Sequence, residues 1–225
     1  MINKSALNII YKNIVNCNNI ETKTTTIVAI TKGQPASSIS SAYKHGLLNI
    51  GESKIQETEK KTIAINKKIT THFIGRLQSN KVRKAIELYD VIQTVHSRKL
   101  ARRINNICET KNKKQKIYLQ VNIGRDANKQ GFDPSIIEEE AKIISNMSNL
   151  NVSGIMMIPP YRKIDNIYRD YHKRTKELQE KIYQGGVSSF IDISMGMSRD
   201  YKLAIKEGAT HIRLGSILFG PRNTL

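Results

Sequence analysis

Residues 190–216 read FIDISMGMSRDYKLAIKEGATHIRLGS. A short apolar run, Phe190 to Ile193, feeds the small-residue turn Ser194-Met195-Gly196-Met197-Ser198. A segment of helical period opens at Ser198 and stops at Gly208, and a second apolar run, His211 to Leu214, closes on Gly215-Ser216. Strand, helix, strand in that order is the repeating unit of a parallel sheet.

Working outward, the same alternation fills the chain. The sequence predicts further strands at Thr26–Ile30, Leu47–Gly51, His72–Gly75, Val91–Val95, Ile117–Ile123 and Val152–Ile158, the last ended by Pro159-Pro160. Between them it predicts a helix carrying Ile39, Ala42 and Tyr43 that stops at Gly46, then helices over 53–68, 79–88 and 97–110. Another starts from Pro134, which suits a first helical turn, and runs to about Met147; a long one spans 165–183. Eight strands, nearly all separated by helices, indicate an α/β chain folded as a (β/α)8 TIM barrel rather than an open sheet. No Pro/Gly/Ser-rich linker or low-complexity tract divides it, so residues 1–225 read as a single domain. Only a short tail follows the eighth strand. A helix over 3–19, with Leu7, Ile10 and Ile14 on one face, is expected where an eighth barrel helix would otherwise pack.

Composition narrows the function classes. The N-terminus has no continuous apolar segment of the secretory type, and no stretch approaches the ~20 apolar residues of a membrane span. Cys17 and Cys108 lie far apart with no CxxC partner, which argues against a disulfide framework or a zinc site. The chain reads as soluble and cytoplasmic. Its net charge of +18 invites a nucleic-acid reading. The lysines, however, are scattered over several helix faces and loops in a sequence rich in Lys, Asn and Ile, and no recognition motif accompanies them. Compositional drift accounts for the charge without a specific nucleic-acid partner.

In such barrels the working groups sit at the C-terminal ends of the strands. That filter selects Thr31-Lys32-Gly33 after the first strand, Ser194 to Ser198 after the seventh, and Arg213 with Gly215-Ser216 on and after the eighth. Lys32 by position alone reads first as a lysine snorkelling to solvent. Held near a low-dielectric pocket it becomes a nucleophilic amine. Gly196 and Ser198 at the start of a helix, and Gly215-Ser216 beside them, offer N–H groups and hydroxyls to a phosphate, in the loops where this fold usually binds one. Read separately, Ser198 is equally an N-cap and Gly215 equally a tight turn; their placement on adjacent strand ends favours the ligand. Arg213 alternates away from Ile212 and Leu214 and needs a partner inside the barrel, either a carboxylate such as Asp192 or a ring nitrogen of a ligand. Together these groups suggest a phosphorylated carbonyl ligand. His72, His96, His172 and His211 have no metal-ligand spacing and read as structural, and Tyr43, Tyr168 and Tyr171 as packing.

The whole pattern resembles the pyridoxal phosphate homeostasis protein family, small relatives of the N-terminal barrel of bacterial alanine racemase. The resemblance rests on Ala29-Ile30-Thr31-Lys32, Gly51-Glu52 with Gln56-Glu57, and Phe73-Ile74-Gly75 with Leu77-Gln78-Ser79-Asn80-Lys81. It continues through Gln120-Val121-Asn122, Gly154-Ile155-Met156 with Ile158-Pro159, Ser194 to Ser198, and Arg213-Leu214-Gly215-Ser216 with Phe219-Gly220. It implies a fold-type III barrel binding pyridoxal 5′-phosphate (PLP), with Lys32 as the Schiff-base lysine and Arg213 facing the pyridine nitrogen. It further implies Ser194, Ser198, Gly215 and Ser216 around the phosphate and Met156 and Met197 near the ring. Three positions depart from the family: Ser53 where Asn is common, Arg199 where an acidic residue is common, and Ser216 in place of Thr.

By that resemblance the chain is a PLP carrier acting in cofactor homeostasis, without strong catalysis, as a monomer with PLP-dependent apo-enzymes as its recipients. An amino-acid racemase is the alternative. That chemistry requires a second base, which alanine racemase takes from a tyrosine of a C-terminal β-domain, and this sequence stops at Leu225 soon after the eighth strand. An aldolase-type Schiff-base barrel would give no cofactor absorbance, and a polyanion-binding protein would show salt-dependent gel shifts.

Overall fold

The computed structural model describes residues 1–17, 24–160 and 165–221. Eight parallel strands close into a barrel in sequence order: β1 (Thr26–Ile30), β2 (Asn49–Glu52), β3 (Thr70–Phe73), β4 (Val91–Val95), β5 (Gln115–Val121), β6 (Leu150–Met157), β7 (Asp192–Ser194) and β8 (His211–Leu214). The seam pairs Thr26–Ala29 of β1 with His211–Leu214 of β8. The expected (β/α)8 barrel is the fold observed.

The helices are α1 (Lys4–Cys17), α2 (Ser37–Lys44), α3 (Ile55–Lys61), α4 (Val82–Leu88), α5 (Arg98–Thr110), α6 (Ile137–Ser145), α7 (Asp165–Gln184), α8 (Tyr201–Lys206) and α9 (Ser216–Phe219). α5 shows why such segments are helical. Leu100, Ala101, Ile104, Ile107 and Cys108 recur at helical spacing and are buried, and the Ser97 hydroxyl accepts the Leu100 N–H at 3.2 Å as an N-cap. Fully burying an isoleucine such as Ile104 contributes about 1.5–3 kcal/mol.

α1 lies against α8 and α9, beside the seam, as expected for the helix that fills the eighth position. Asn3 N–H donates to Leu218 O at 2.8 Å, and Asn13 Nδ2 to the Tyr201 hydroxyl at 2.7 Å. Several predicted boundaries move. The helix expected over 53–68 ends at Lys61 and continues only as a 3-10 turn over Thr62–Ala64, because Asn66 bends the chain by accepting the Lys68 N–H at 2.9 Å. α6 starts at Ile137 rather than Pro134. Asp133 Oδ1 accepts both the N–H and the hydroxyl of Ser135, holding a turn there instead. After β8 the tail forms the short helix α9. The end of the helix expected over 3–19 lies outside the described residues.

Strand alternation sorts the side chains. Ile212, Leu214, Ile193, Ile155 and Ile117 point outward into the apolar layer under the helices. Asn49, His72, Gln93, Tyr118, Asp192, Ser194 and Arg213 point inward; Ser194 on β7 bonds Gln93 on β4, strands that are not neighbours, so that bond crosses the interior.

Candidate cofactor pocket

Arg213 stands inside the upper barrel and is 4 % exposed. Its Nη1 donates to Ser194 Oγ at 2.8 Å and its Nη2 to Met157 O at 2.7 Å, both neutral acceptors. Asp192 is not its partner. That carboxylate accepts the Tyr118 hydroxyl at 2.9 Å and pairs with Lys116 Nζ at 2.9 Å lower in the barrel. Among the described residues no carboxylate forms an ion pair with Arg213. Burial pushes its pKa down to about 10, opposed by the field of Asp200, so the guanidinium stays charged at neutral pH.

Above it opens a cavity of about 640 Å³. Ile30 and Lys32 enter from the end of β1, Ile74 from β3, Asp126 and Lys129 from the loop after β5, and Ile158, Pro159 and Pro160 from β6. Tyr168 enters from α7, Met197 to Asp200 from the turn after β7, and Arg213, Gly215 and Ser216 from β8. Of the residues singled out in the sequence, Lys32, Met197, Ser198, Arg213, Gly215 and Ser216 line this space. Ser194 and Met156 lie beneath it, fully buried. Ser194 meets Arg213, and Met156 packs with Val91 and Tyr118. Ser53 lines a separate cavity of about 180 Å³ near Arg76 and Lys81.

The turn bearing Lys32 is gripped on both sides. Lys61 Nζ donates to Thr31 O at 2.8 Å, to Glu52 Oε1 at 2.8 Å and to Glu57 Oε1 at 2.6 Å. Glu57 Oε1 also accepts the Gly33 N–H at 2.6 Å, and Thr31 Oγ1 donates to Glu52 Oε1 at 2.7 Å. Gly33 has φ +68°, a conformation glycine adopts without strain. Glu52 is 1 % exposed and its Oε2 has no hydrogen-bond partner. Burial raises its pKa against the pull of Lys61 and Thr31. Burial also acts upward on Glu57, but Lys61 and the Gly33 N–H outweigh it and the pKa falls.

The turn after β7 differs from expectation. Ser198 does not cap a helix: residues 198–200 form a turn and α8 starts at Tyr201. The cause is Asp200, whose Oδ1 accepts the Met197 N–H at 2.7 Å while Oδ2 meets His172 Nε2 at 3.0 Å. The Met197 N–H is thereby engaged within the turn. Gly196, at φ +84°, has no room for a side chain, since a Cβ would come within 2.5 Å of Ala204 Cβ. Ser198 Oγ instead faces α9 and accepts the Ile217 N–H at 3.4 Å.

Sequence reading missed Asp126, Lys129 and Asp200, and took Tyr168 for packing. The first two follow a predicted strand end, so the positional filter that found Lys32 applies to them as well. Tyr168 and Gln93 carry no local signal, because only the barrel's closure brings them near the site.

The chain matches the model of the family described as "Alanine racemase, N-terminal domain" over residues 6–223. It is 37% identical over 198 residues to a protein of Synechocystis named pyridoxal phosphate homeostasis protein, covering 87% of this chain and 91% of that one. A protein of the same name from Aquifex aeolicus is 34% identical over 197 residues, covering 87% and 86%. Among solved structures, PipY of Synechococcus elongatus superposes with a TM-score of 0.87 without PLP, at 32% identity and 96% and 99% coverage. Its PLP-bound form gives 0.82, at 31% identity and 94% and 100% coverage.

Proposed function

The chain belongs to the alanine racemase N-terminal domain family, and from that premise we propose that it binds PLP at the barrel mouth and serves cofactor homeostasis. In this reading Lys32 holds the cofactor covalently as a Schiff base, and the protein is a carrier without strong catalysis of its own. The observation that carries it is Arg213. A guanidinium has five N–H donors and no acceptor. This one is buried, is bonded to two neutral oxygens, and lines a cavity that Lys32 also enters. A neutral heteroaromatic nitrogen is an acceptor that such a group fits, and PLP has one.

The other residues divide the remaining work. Ser198, Gly215 and Ser216 offer hydroxyls and N–H groups to the phosphate, and Met197 flanks the ring. Ser194 anchors Arg213 from below, with Met156 packed beneath the pocket floor. Ile30, Ile74, Ile158 and the two prolines keep water from the amine. When bound, PLP supplies a reactive aldehyde and an aromatic electron sink. Arg213 works against the second property, because its charge disfavours a proton on the adjacent ring nitrogen. That restraint suits a carrier better than a racemase.

In this reading PLP-dependent apo-enzymes receive the cofactor, and the protein acts in the cytoplasm as a monomer, with no specific nucleic acid and no membrane as partner. Among the described residues no helix is long and apolar enough to cross a membrane. The test is spectroscopic. Purified protein loaded with PLP should absorb in the visible, and borohydride reduction followed by peptide mapping should place the pyridoxyl group on Lys32. Labelling of Lys81 or Lys129 instead would overturn the assignment, and robust conversion of L-alanine to D-alanine would return the racemase reading.

A further inference from the structure

Beneath the pocket, the barrel interior departs from the branched aliphatic layers usual in this fold. Five inward side chains form an unbroken hydrogen-bonded chain. Arg213 Nη1 meets Ser194 Oγ at 2.8 Å, Ser194 Oγ meets Gln93 Oε1 at 2.7 Å, Gln93 Nε2 meets His72 Nδ1 at 2.8 Å, and His72 Nε2 meets Asn49 Oδ1 at 3.0 Å. The chain crosses from β8 through β7, β4 and β3 to β2. His72, Gln93, Ser194 and Arg213 are all buried.

The chain has one direction, set by what each atom can do. Arg213 only donates, so Ser194 turns a lone pair toward it. Among the described residues Gln93 Oε1 is the acceptor that the buried Ser194 hydroxyl reaches, at 2.7 Å, and the proton therefore points there. The Gln93 amide nitrogen then donates to His72 Nδ1, and His72 must be the neutral tautomer protonated on Nε2, giving that proton to Asn49 Oδ1. Burial favours this state, holding the His72 pKa down to about 3, helped by His211, whose ring is 6.1 Å away, and by Lys116. Buried polar chains in which every link is satisfied hold their members in one arrangement.

We infer that Gln93 and His72 are positioning residues that hold the Arg213 guanidinium in register with the ring nitrogen of the bound cofactor, an inference resting on the PLP reading above. Without the Gln93 amide, the Ser194 proton has no acceptor below it. The hydroxyl then turns, Nη1 loses its anchor, and the guanidinium keeps only Met157 O. The damage falls on the contact to the ring nitrogen rather than on the phosphate or on Lys32.

The experiment compares PLP with its 1-deaza analogue, in which C–H replaces the ring nitrogen. A charge-assisted hydrogen bond gives wild type roughly ten-fold or greater preference for PLP. Gln93→Met and His72→Phe should each cut that preference by about five-fold while leaving affinity for the deaza analogue nearly unchanged. Equal losses for both ligands would show a purely structural role and overturn the inference. If wild type binds PLP and the deaza analogue equally, the Arg213 contact fails although PLP binding stands; if wild type binds neither, both readings fall. Should the variants not fold, nitrogen NMR of wild-type histidines decides: His72 should be neutral and protonated on Nε2 at pH 5, with shifts that respond to PLP but not to the deaza analogue. An Nδ1–H tautomer, or identical responses to the two ligands, would overturn it.

Discussion

Replacing Lys61 with methionine keeps most of the side chain's volume but removes the cation beside Glu52 and Glu57. Glu57 is the lesser concern, because it is partly exposed and retains the Gly33 N–H. Glu52 is 1 % exposed and would keep only the Thr31 hydroxyl. Removing one partner of a buried pair costs about 3–5 kcal/mol when the other stays charged. Proton uptake limits the cost. An unfolded glutamate titrates near about 4.3, so protonating it on folding at pH 7 costs about 1.4 kcal/mol for each of about 2.7 pH units, or about 3.7 kcal/mol. At pH 5 the same uptake costs about 1 kcal/mol. The sign follows from the raised folded-state pKa: ionised Glu52 destabilises, that cost is absent below the unfolded value, and it grows as pH rises through the folded one. Lys61→Met moves the folded value further up. Because wild type already bears part of this cost, urea unfolding followed by circular dichroism should show a further loss of at most about 3–4 kcal/mol at pH 7, shrinking to at most about 1 kcal/mol at pH 5. Adding Glu52→Gln should restore most of it. A loss that is the same at both pH values, or one that Glu52→Gln does not relieve, would refute the reasoning.

Other changes probe separate links. Ser198→Ala should weaken binding of PLP more than of unphosphorylated pyridoxal, by about five- to ten-fold in the ratio of the two dissociation constants, with stability changed by less than about 1 kcal/mol; paired titrations read this. Gly154→Ala should cost about 3 kcal/mol or more, because a Cβ there would sit 2.1 Å from Asp192 O and push β6 from β7; a midpoint unchanged in urea would contradict it. Ile104→Ala, at a fully buried position on α5, should cost about 2–5 kcal/mol in the same assay.

The barrel was legible because each strand announces itself as a short apolar run between helical segments, as Thr26–Ile30 and Val91–Val95 do. β7 was placed two residues early. Phe190 is buried outside the sheet and Ile191 is 40 % exposed, so hydrophobicity alone does not locate the strand in FIDIS. The helix after it was misread because Ser198 looks like a cap, whereas Asp200 turns back onto Met197, a choice stabilised by His172 of the preceding helix α7, 28 positions earlier in the chain. Lys32 and Arg213 were readable from strand-end position and alternation. Gln93 and His72 were not: their partners sit on strands far away in sequence, and a glutamine inside a run such as VIQTV has no local mark of its role.

The seam between β1 and β8 joins residues 26 and 211, which are 185 positions apart, whereas every other strand pairs with its neighbour along the chain. Closing a loop that long, rather than one of ~25 residues, costs about 1.8 kcal/mol more in chain entropy. Lys32 follows one side of this seam, and Arg213, Gly215 and Ser216 belong to the other. The pocket therefore spans the join with the longest loop to close. A molecule held from both sides acts as a clasp across that join, and amides of β1 and β8 should gain the most protection from hydrogen exchange when it is in place.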